Sequence, residues 1–194
     1  PFAVAISRFR LLVAALQVAG VQRLADAPDF RIHVASGDSL IHGTRFGLAG
    51  PSAARNEPLF DDDQSRADQG LAHAYATEDL EQVQQILSRQ YHAVVGNPPY
   101  AGHSQNNGEW ARGLVEPYRS IGGKALRLAQ GKWLQNDYVK FIAYAERRLA
   151  ATGFGVLGFI TDHSYLEGDT FPGLRHHLLT TFSNVDVLNL HGNL

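Results

Sequence analysis

A chain of 194 residues and 21.2 kDa with 44% hydrophobic side chains can build one compact domain with a core, but not two large ones. A net charge of −2 and a pI near 6.5 exclude a globally basic protein that coats nucleic acid, so any contact with a polyanion must be local. The absence of Cys excludes disulfides, thiolate nucleophiles and Cys-bearing zinc sites; with no apolar run near the ~18 to 20 residues of a membrane helix and no secretion signal, a soluble, cytoplasmic protein with no membrane partner is expected.

Met is absent too, initiator included, so the chain is expected to be a stretch of a longer polypeptide. Residues 2–18 place Ile6, Phe9, Val13 and Leu16 three and four apart before Gly20, which predicts an amphipathic helix with a glycine stop. After the Pro28 turn, residues 31–35 are β-prone and run into Ser36-Gly37-Asp38-Ser39, so Asp38 is expected at a strand's carboxyl end. Residues 43–90 hold four basic against eight acidic residues, including Asp61-Asp62-Asp63, and 43–76 read as an acidic surface insertion. Its tail is better ordered: Thr77 can cap a helix carrying Leu80, Val83 and Leu87 as one stripe and ending near Arg89.

Residues 91–96 make a compact apolar strand that Asn97-Pro98-Pro99-Tyr100 terminates, because two imino acids cannot continue a ladder. Residues 101–135 form a Trp-containing insertion with five Lys or Arg against two Glu, a local +3 where the rest of the chain is −5. Asn136 or Asp137 can cap a helix with Tyr138, Phe141, Ile142, Ala145 and Leu149 on its apolar face and Gly153 as its stop. A buried strand at 155–161, a helix at about 173–180 and a last strand at 184–190 complete an alternation that implies a parallel α/β sheet with flanking helices.

Open α/β sheets bind ligands at the carboxyl edge of their strands, where Asn97-Pro98-Pro99-Tyr100 falls. An aromatic exocyclic amine is a poor nucleophile while its lone pair is delocalised, and the Asn97 side-chain oxygen with the Pro98 carbonyl can draw its two N–H groups out of the ring plane. Pro99 keeps the turn rigid, and Tyr100 offers a flat face for an extruded base. An Asx-Pro turn after a buried strand is the plainer reading of the same residues. Asp162-His163-Ser164-Tyr165 ends the 155–161 strand on the same edge, where His163 or Tyr165 could line a base pocket or simply pack the loop. Gly153-Phe154-Gly155-Val156-Leu157-Gly158 fits the dinucleotide pattern G-x-G-x-x-G but runs from helix into strand, the reverse of what that fingerprint needs. None of the nine His has metal-ligand spacing, so no metal is expected, and His176 and His177 are placed on a partly solvated helix.

On these residues the chain resembles the amino-methyltransferases, whose motif IV is Asn-Pro-Pro-Tyr after a short hydrophobic strand. PFAVAISRFRLLVAAL and DAPDFRIHVASGDSLIHG are similar to adenine-specific methyltransferases of the BREX (phage growth limitation) systems; GNPPYAGHSQNNGEW, KWLQNDYVKFI, GFITDHSYL and VLNLHGN are similar to type ISP restriction-modification enzymes. The resemblance implies an incomplete Rossmann-like fold and a partial catalytic domain over residues 1–194. It also implies methyl transfer from S-adenosylmethionine to N6 of adenine in double-stranded DNA, within a restriction-modification or phage-defence protein.

In that family Asn97, Pro98, Pro99 and Tyr100 would be catalytic and Asp38, with Ser39 and Leu40, would bind the cofactor; helix capping or an Asx turn is the alternative for Asp38. The family's Gly-rich motif I would precede Pro1 and the aromatic of motif VIII would follow the last strand, so the remainder of the parent polypeptide is an expected partner. The basic segment offers Arg112, Arg119, Lys124, Arg127 and Lys132, with Tyr165, to DNA; a solvated lid is the alternative. Two rival functions stay open: the same motif acting on a protein glutamine, and a truncated, non-catalytic remnant. Taken alone, the chain should pair the strands at 92–96 and 155–160 in parallel, leave the two outer strands weakly or non-natively paired, and bind no cofactor measurably.

Overall fold

The computed structural model describes residues 2–42, 80–100, 104 and 106–190, and the chain divides into two units, 1–89 and 90–194. The acidic 43–76 insertion and the Thr77 cap lie outside the described residues.

In the first unit, α1 spans Phe2–Val18. Gly20 closes it at φ +66°, with Gly20 N–H on the Gln17 carbonyl (3.1 Å) and Val21 N–H on the Leu16 carbonyl (3.0 Å), the two bonds of a Schellman stop. The predicted stripe does not reach a core: no α1 residue is buried, and Ile6 and Phe9 are exposed. The strand expected at 31–35 is not formed. There the Ile32 N–H turns back to the Phe30 carbonyl at 2.9 Å, and a strand has no stability without a partner ladder. Asp38 therefore closes no strand; it precedes α2, Ser39–His42, and its Oδ1 accepts the Leu40 N–H at 2.8 Å, an N-cap bond. Leu40 is buried, as are Val83 and Leu87 on α3, Leu80–Leu87. Gly37 admits α3, since a Cβ there would stand 2.6 Å from Val83 Cγ2.

In the second unit, β1 (Ala93–Gly96) pairs in parallel with β4 (Val156–Phe159), Ala93 opposite Val156 and Gly96 opposite Phe159. These are the two strands expected to pair, but β4 is not the buried strand expected: Val156 is exposed and Leu157, Gly158 and Phe159 are half-buried, because among the described residues only β1 pairs with it. The crossover between them contains α4 (Glu109–Gly113), a 3₁₀ turn at Glu116–Arg119, the hairpin β2 (Ser120–Ile121) and β3 (Lys124–Ala125), a second 3₁₀ turn at Gly131–Gln135, and α5 (Asp137–Ala150). Gly122 and Gly123, at φ +56° and +77°, make the two-residue hairpin turn that a right-handed strand twist favours. Asn136 stands at the cap of α5 with extended backbone, but the expected side-chain cap is absent; its carbonyl receives the Val139 and Lys140 N–H groups instead. Gly153, φ +78°, follows α5 as expected.

Helix α5 is buried on almost every side, and Tyr138, Val139, Ile142, Ala145 and Leu149 fill the core. Ala111, Leu114, Val115, Tyr118 and Leu134 of the basic segment complete that core, while its residues 119–133 are half-buried or exposed. Beyond β4, α6 spans Ser164–Glu167 and α7 spans Pro172–Thr181. Gly173 of α7 lies on the 116–119 turn so closely that a Cβ would meet the Tyr118 carbonyl oxygen at 1.8 Å. The final strand expected at 184–190 is also absent, and Val185, Val187, Leu188 and Leu190 are exposed. Beneath α7 the Tyr118 hydroxyl donates to Glu146 Oε2 at 2.6 Å, with His177 Nδ1 3.4 Å from the same oxygen. Burial pushes the Glu146 carboxyl up, against the opposing pull of Tyr118 and His177, while burial and then the Glu146 charge push the Tyr118 hydroxyl well up.

Candidate active site

Both strands of the parallel sheet end on one edge, and the residues leaving them meet there. The Tyr100 hydroxyl lies 2.5 Å from Asn97 Oδ1 and 3.2 Å from the Ile160 carbonyl oxygen just past β4. One hydroxyl proton is thus shared between an acceptor after β1 and an acceptor after β4. Pro98 is buried, which seats the turn, whereas Asn97 and Tyr100 are exposed. A rigid corner results, with an amide oxygen and an aromatic ring facing outward.

The loop after β4 is equally ordered. Asp162 Oδ1 accepts the Ser164 N–H at 2.7 Å, and Ser164 Oγ lies 3.2 Å from the Tyr138 hydroxyl of α5, whose pKa burial pushes up to about 12. Tyr165 tilts against Tyr138 with ring centroids 6.4 Å apart, and Arg175 holds its carbonyl at 2.8 Å. It is half-buried, while His163 is exposed.

Of the basic candidates, Arg112, Lys124, Arg127 and Lys132 are exposed. Arg119 is partly spoken for, its Nε donating to Glu116 Oε1 at 3.0 Å, and the Lys132 ammonium stands over the Trp133 ring at 5.4 Å. Asp38, Ser39 and Leu40 belong to the first unit; Asp38 and Ser39 are half-buried and Leu40 is buried. The Asp38 carboxylate is an acceptor of the kind an adenine amino group requires, so the chemistry fits the cofactor that the resemblance implies. Among the described residues no group of three or more His, Cys, Asp or Glu could hold a metal ion.

Sequence reasoning missed Lys140. Its ammonium, fully buried on α5, donates to Ser104 Oγ at 2.7 Å and to the Asn106 carbonyl at 2.6 Å. Burial lowers its pKa, with the Asp137 carboxylate acting in the opposite direction. A lysine within a helix reads as surface, and no spacing rule flagged it.

The chain belongs to the Eco57I restriction-modification methylase family, whose model matches residues 1–193, and that family defines its class as a methyltransferase. It is 36% identical over 174 residues to the adenine-specific methyltransferase PglX of Streptomyces coelicolor, covering 86% of this chain and 13% of that protein. No solved structure matches the chain.

Proposed function

We propose that this chain is part of a Rossmann-like catalytic domain that methylates N6 of adenine in double-stranded DNA, in a restriction-modification or phage-defence setting. The observation that carries the proposal is the exposed Asn97 oxygen beside the Tyr100 ring on the carboxyl edge of the β1–β4 sheet. Membership of a restriction-modification methylase family and likeness to an adenine-specific methyltransferase support it. S-adenosylmethionine, when bound, supplies an electrophilic methyl group, and Asp38 with the neighbouring Ser39 and Leu40 would hold it.

The other steps fall to this chain's own residues. An incoming adenine amine takes one N–H to Asn97 Oδ1 and the other to the Pro98 carbonyl, which turns the nitrogen lone pair out of the ring plane. The Tyr100 hydroxyl engages one of the two lone pairs of that Asn97 oxygen, and when it moves wholly to the Ile160 carbonyl both are open to the amine. Freed from Asn97, the Tyr100 ring stacks on the extruded base. The methylated nitrogen then sheds one proton to solvent, because neither an amide nor a proline carbonyl is a base near neutral pH. Arg112, Lys124, Arg127 and Lys132, with Arg119 in part, would meet phosphates.

The test supplies the full-length enzyme with S-adenosylmethionine labelled on its methyl group, and with duplex DNA or a glutamine-bearing protein in parallel. Label recovered as N6-methyladenine after nucleoside digestion is the expected result. Label confined to the protein would move the activity to a side-chain amide, and label in neither would leave a non-catalytic remnant.

A further inference from the structure

The two loops at the candidate site are tied to one place, the first turn of α5. From that turn Tyr138 reaches Ser164, the first residue of α6 at the end of the loop after β4, and Lys140 reaches Ser104 and Asn106 in the segment after β1. The remainder of α5 is fixed to the sheet. At its far end Leu149 lies so near Gly155, the residue before β4, that a Cβ there would stand 2.6 Å from Leu149 Cδ2. Helix and strands therefore form one rigid frame, and the two side chains act as its struts.

Placing an ammonium where it is fully buried is costly unless its protons are used. Lys140 directs them to neutral acceptors; Ser104 Oγ also accepts the Asn106 N–H at 3.1 Å, and the Asn107 side-chain amide donates to the Ser104 carbonyl at 2.9 Å. Ser104 follows Tyr100 by only four residues, a leash of at most about 14 Å. Fixing Ser104 thus limits where the Asn97–Tyr100 corner can move.

We propose that Lys140 is a positioning residue: by pinning Ser104 and Asn106 to the first turn of α5, it limits how far the Asn97–Tyr100 corner can move from that turn and so preorganises the amine site. This rests on the adenine reading above. Preorganisation matters because a misplacement of about 1 Å at a reacting centre can cost on the order of 10² in rate.

The experiment compares full-length wild type with Lys140→Met, Ser104→Ala and the double variant on duplex DNA carrying either the target adenine or 2-aminopurine in its place. Methionine keeps the length of the side chain and removes its donors, while the bonds among Ser104, Asn106 and Asn107 are left in place. Lys140→Met is expected to lower single-turnover transfer by about tenfold to a hundredfold and to reduce the 2-aminopurine fluorescence of the extruded base, with cofactor Kd and Tm close to wild type. Ser104→Ala should lose less in the same direction, and the double variant no more than Lys140→Met alone. Wild-type rate and fluorescence in Lys140→Met would overturn the proposal, as would rate, cofactor affinity and Tm falling together, which marks a purely structural lysine. Should Lys140→Met not fold, Ser104→Ala decides alone, and its full activity is the overturning result. A wild type that leaves adenine unmethylated overturns the adenine reading and this inference together, whereas an active wild type with an unaffected variant overturns only the inference.

Discussion

The Tyr100 hydroxyl and Asn97 Oδ1 stand 2.5 Å apart, so one of the two lone pairs of the atom proposed to hold the amine is engaged before substrate arrives. Removing the hydroxyl while keeping the ring separates occupation from stacking. Tyr100→Phe is expected to preserve transfer and to tighten binding of DNA with an extruded adenine severalfold, measured by fluorescence titration; weakened binding would show that the hydroxyl touches the base. Asp38 carries two roles that calorimetry can divide. Asp38→Ala should weaken cofactor binding by ~1 to 3 kcal/mol with little effect on transfer at saturating cofactor. Unchanged affinity would leave only the observed cap on Leu40, worth ~1 kcal/mol of stability. Glu146 predicts a pH effect. Its folded pKa is raised by burial, so folding favours the protonated form, and stability from this group is lost as pH rises from the ordinary glutamate range through the folded value. Glu146→Gln cannot ionise and should flatten that part of a Tm-against-pH curve; an unchanged slope would place the pH dependence elsewhere.

Among the elements, β1, β4 and α5 were legible because each carries its own local signal: a compact apolar run for the strands, a helical stripe and a Gly153 stop for the helix. The β-prone runs at 31–35 and 184–190 were not, since strand propensity is realised only against a partner ladder. The buried part of the basic segment was not legible, because Leu114, Val115, Tyr118 and Leu134 follow no single period. Asn97 and Tyr100 could be placed on one edge from sequence, but the hydroxyl shared with Ile160 and the Lys140 strut depend on contacts 60 and 36 residues distant. Gly155 tests the packing of α5 on the strands: in Gly155→Ala the new Cβ would lie 2.6 Å from the His92 carbonyl oxygen, and backbone cannot swing aside as a side chain can. Overpacking of this kind should cost ~1 to 3 kcal/mol by denaturant unfolding. The exposed cations test the DNA face. Single replacements at Arg112, Lys124, Arg127 or Lys132 should each flatten the salt dependence of DNA affinity by nearly one unit of log-log slope with sequence preference hardly moved; unaltered slopes would assign these residues to solvent.

At the scale of the whole molecule, the chain spans 13% of the length of the curated relative it matches, and its described residues include a two-stranded parallel sheet with Val95 81% and Val156 66% exposed. Apolar strand residues left open in this way favour association. The 194-residue chain alone should therefore bind a hydrophobic dye, and a chain that binds none would contradict this reading of the open strands. The full-length enzyme is the place to test the amine site itself, and the most direct measurement is single-turnover formation of N6-methyladenine by wild type and Asn97→Ala at saturating cofactor. Loss of one preorganised acceptor predicts a rate lower by ~10² or more with cofactor binding intact. An Asn97→Ala enzyme that forms N6-methyladenine at the wild-type rate would contradict the role of Asn97 as holder of the amine.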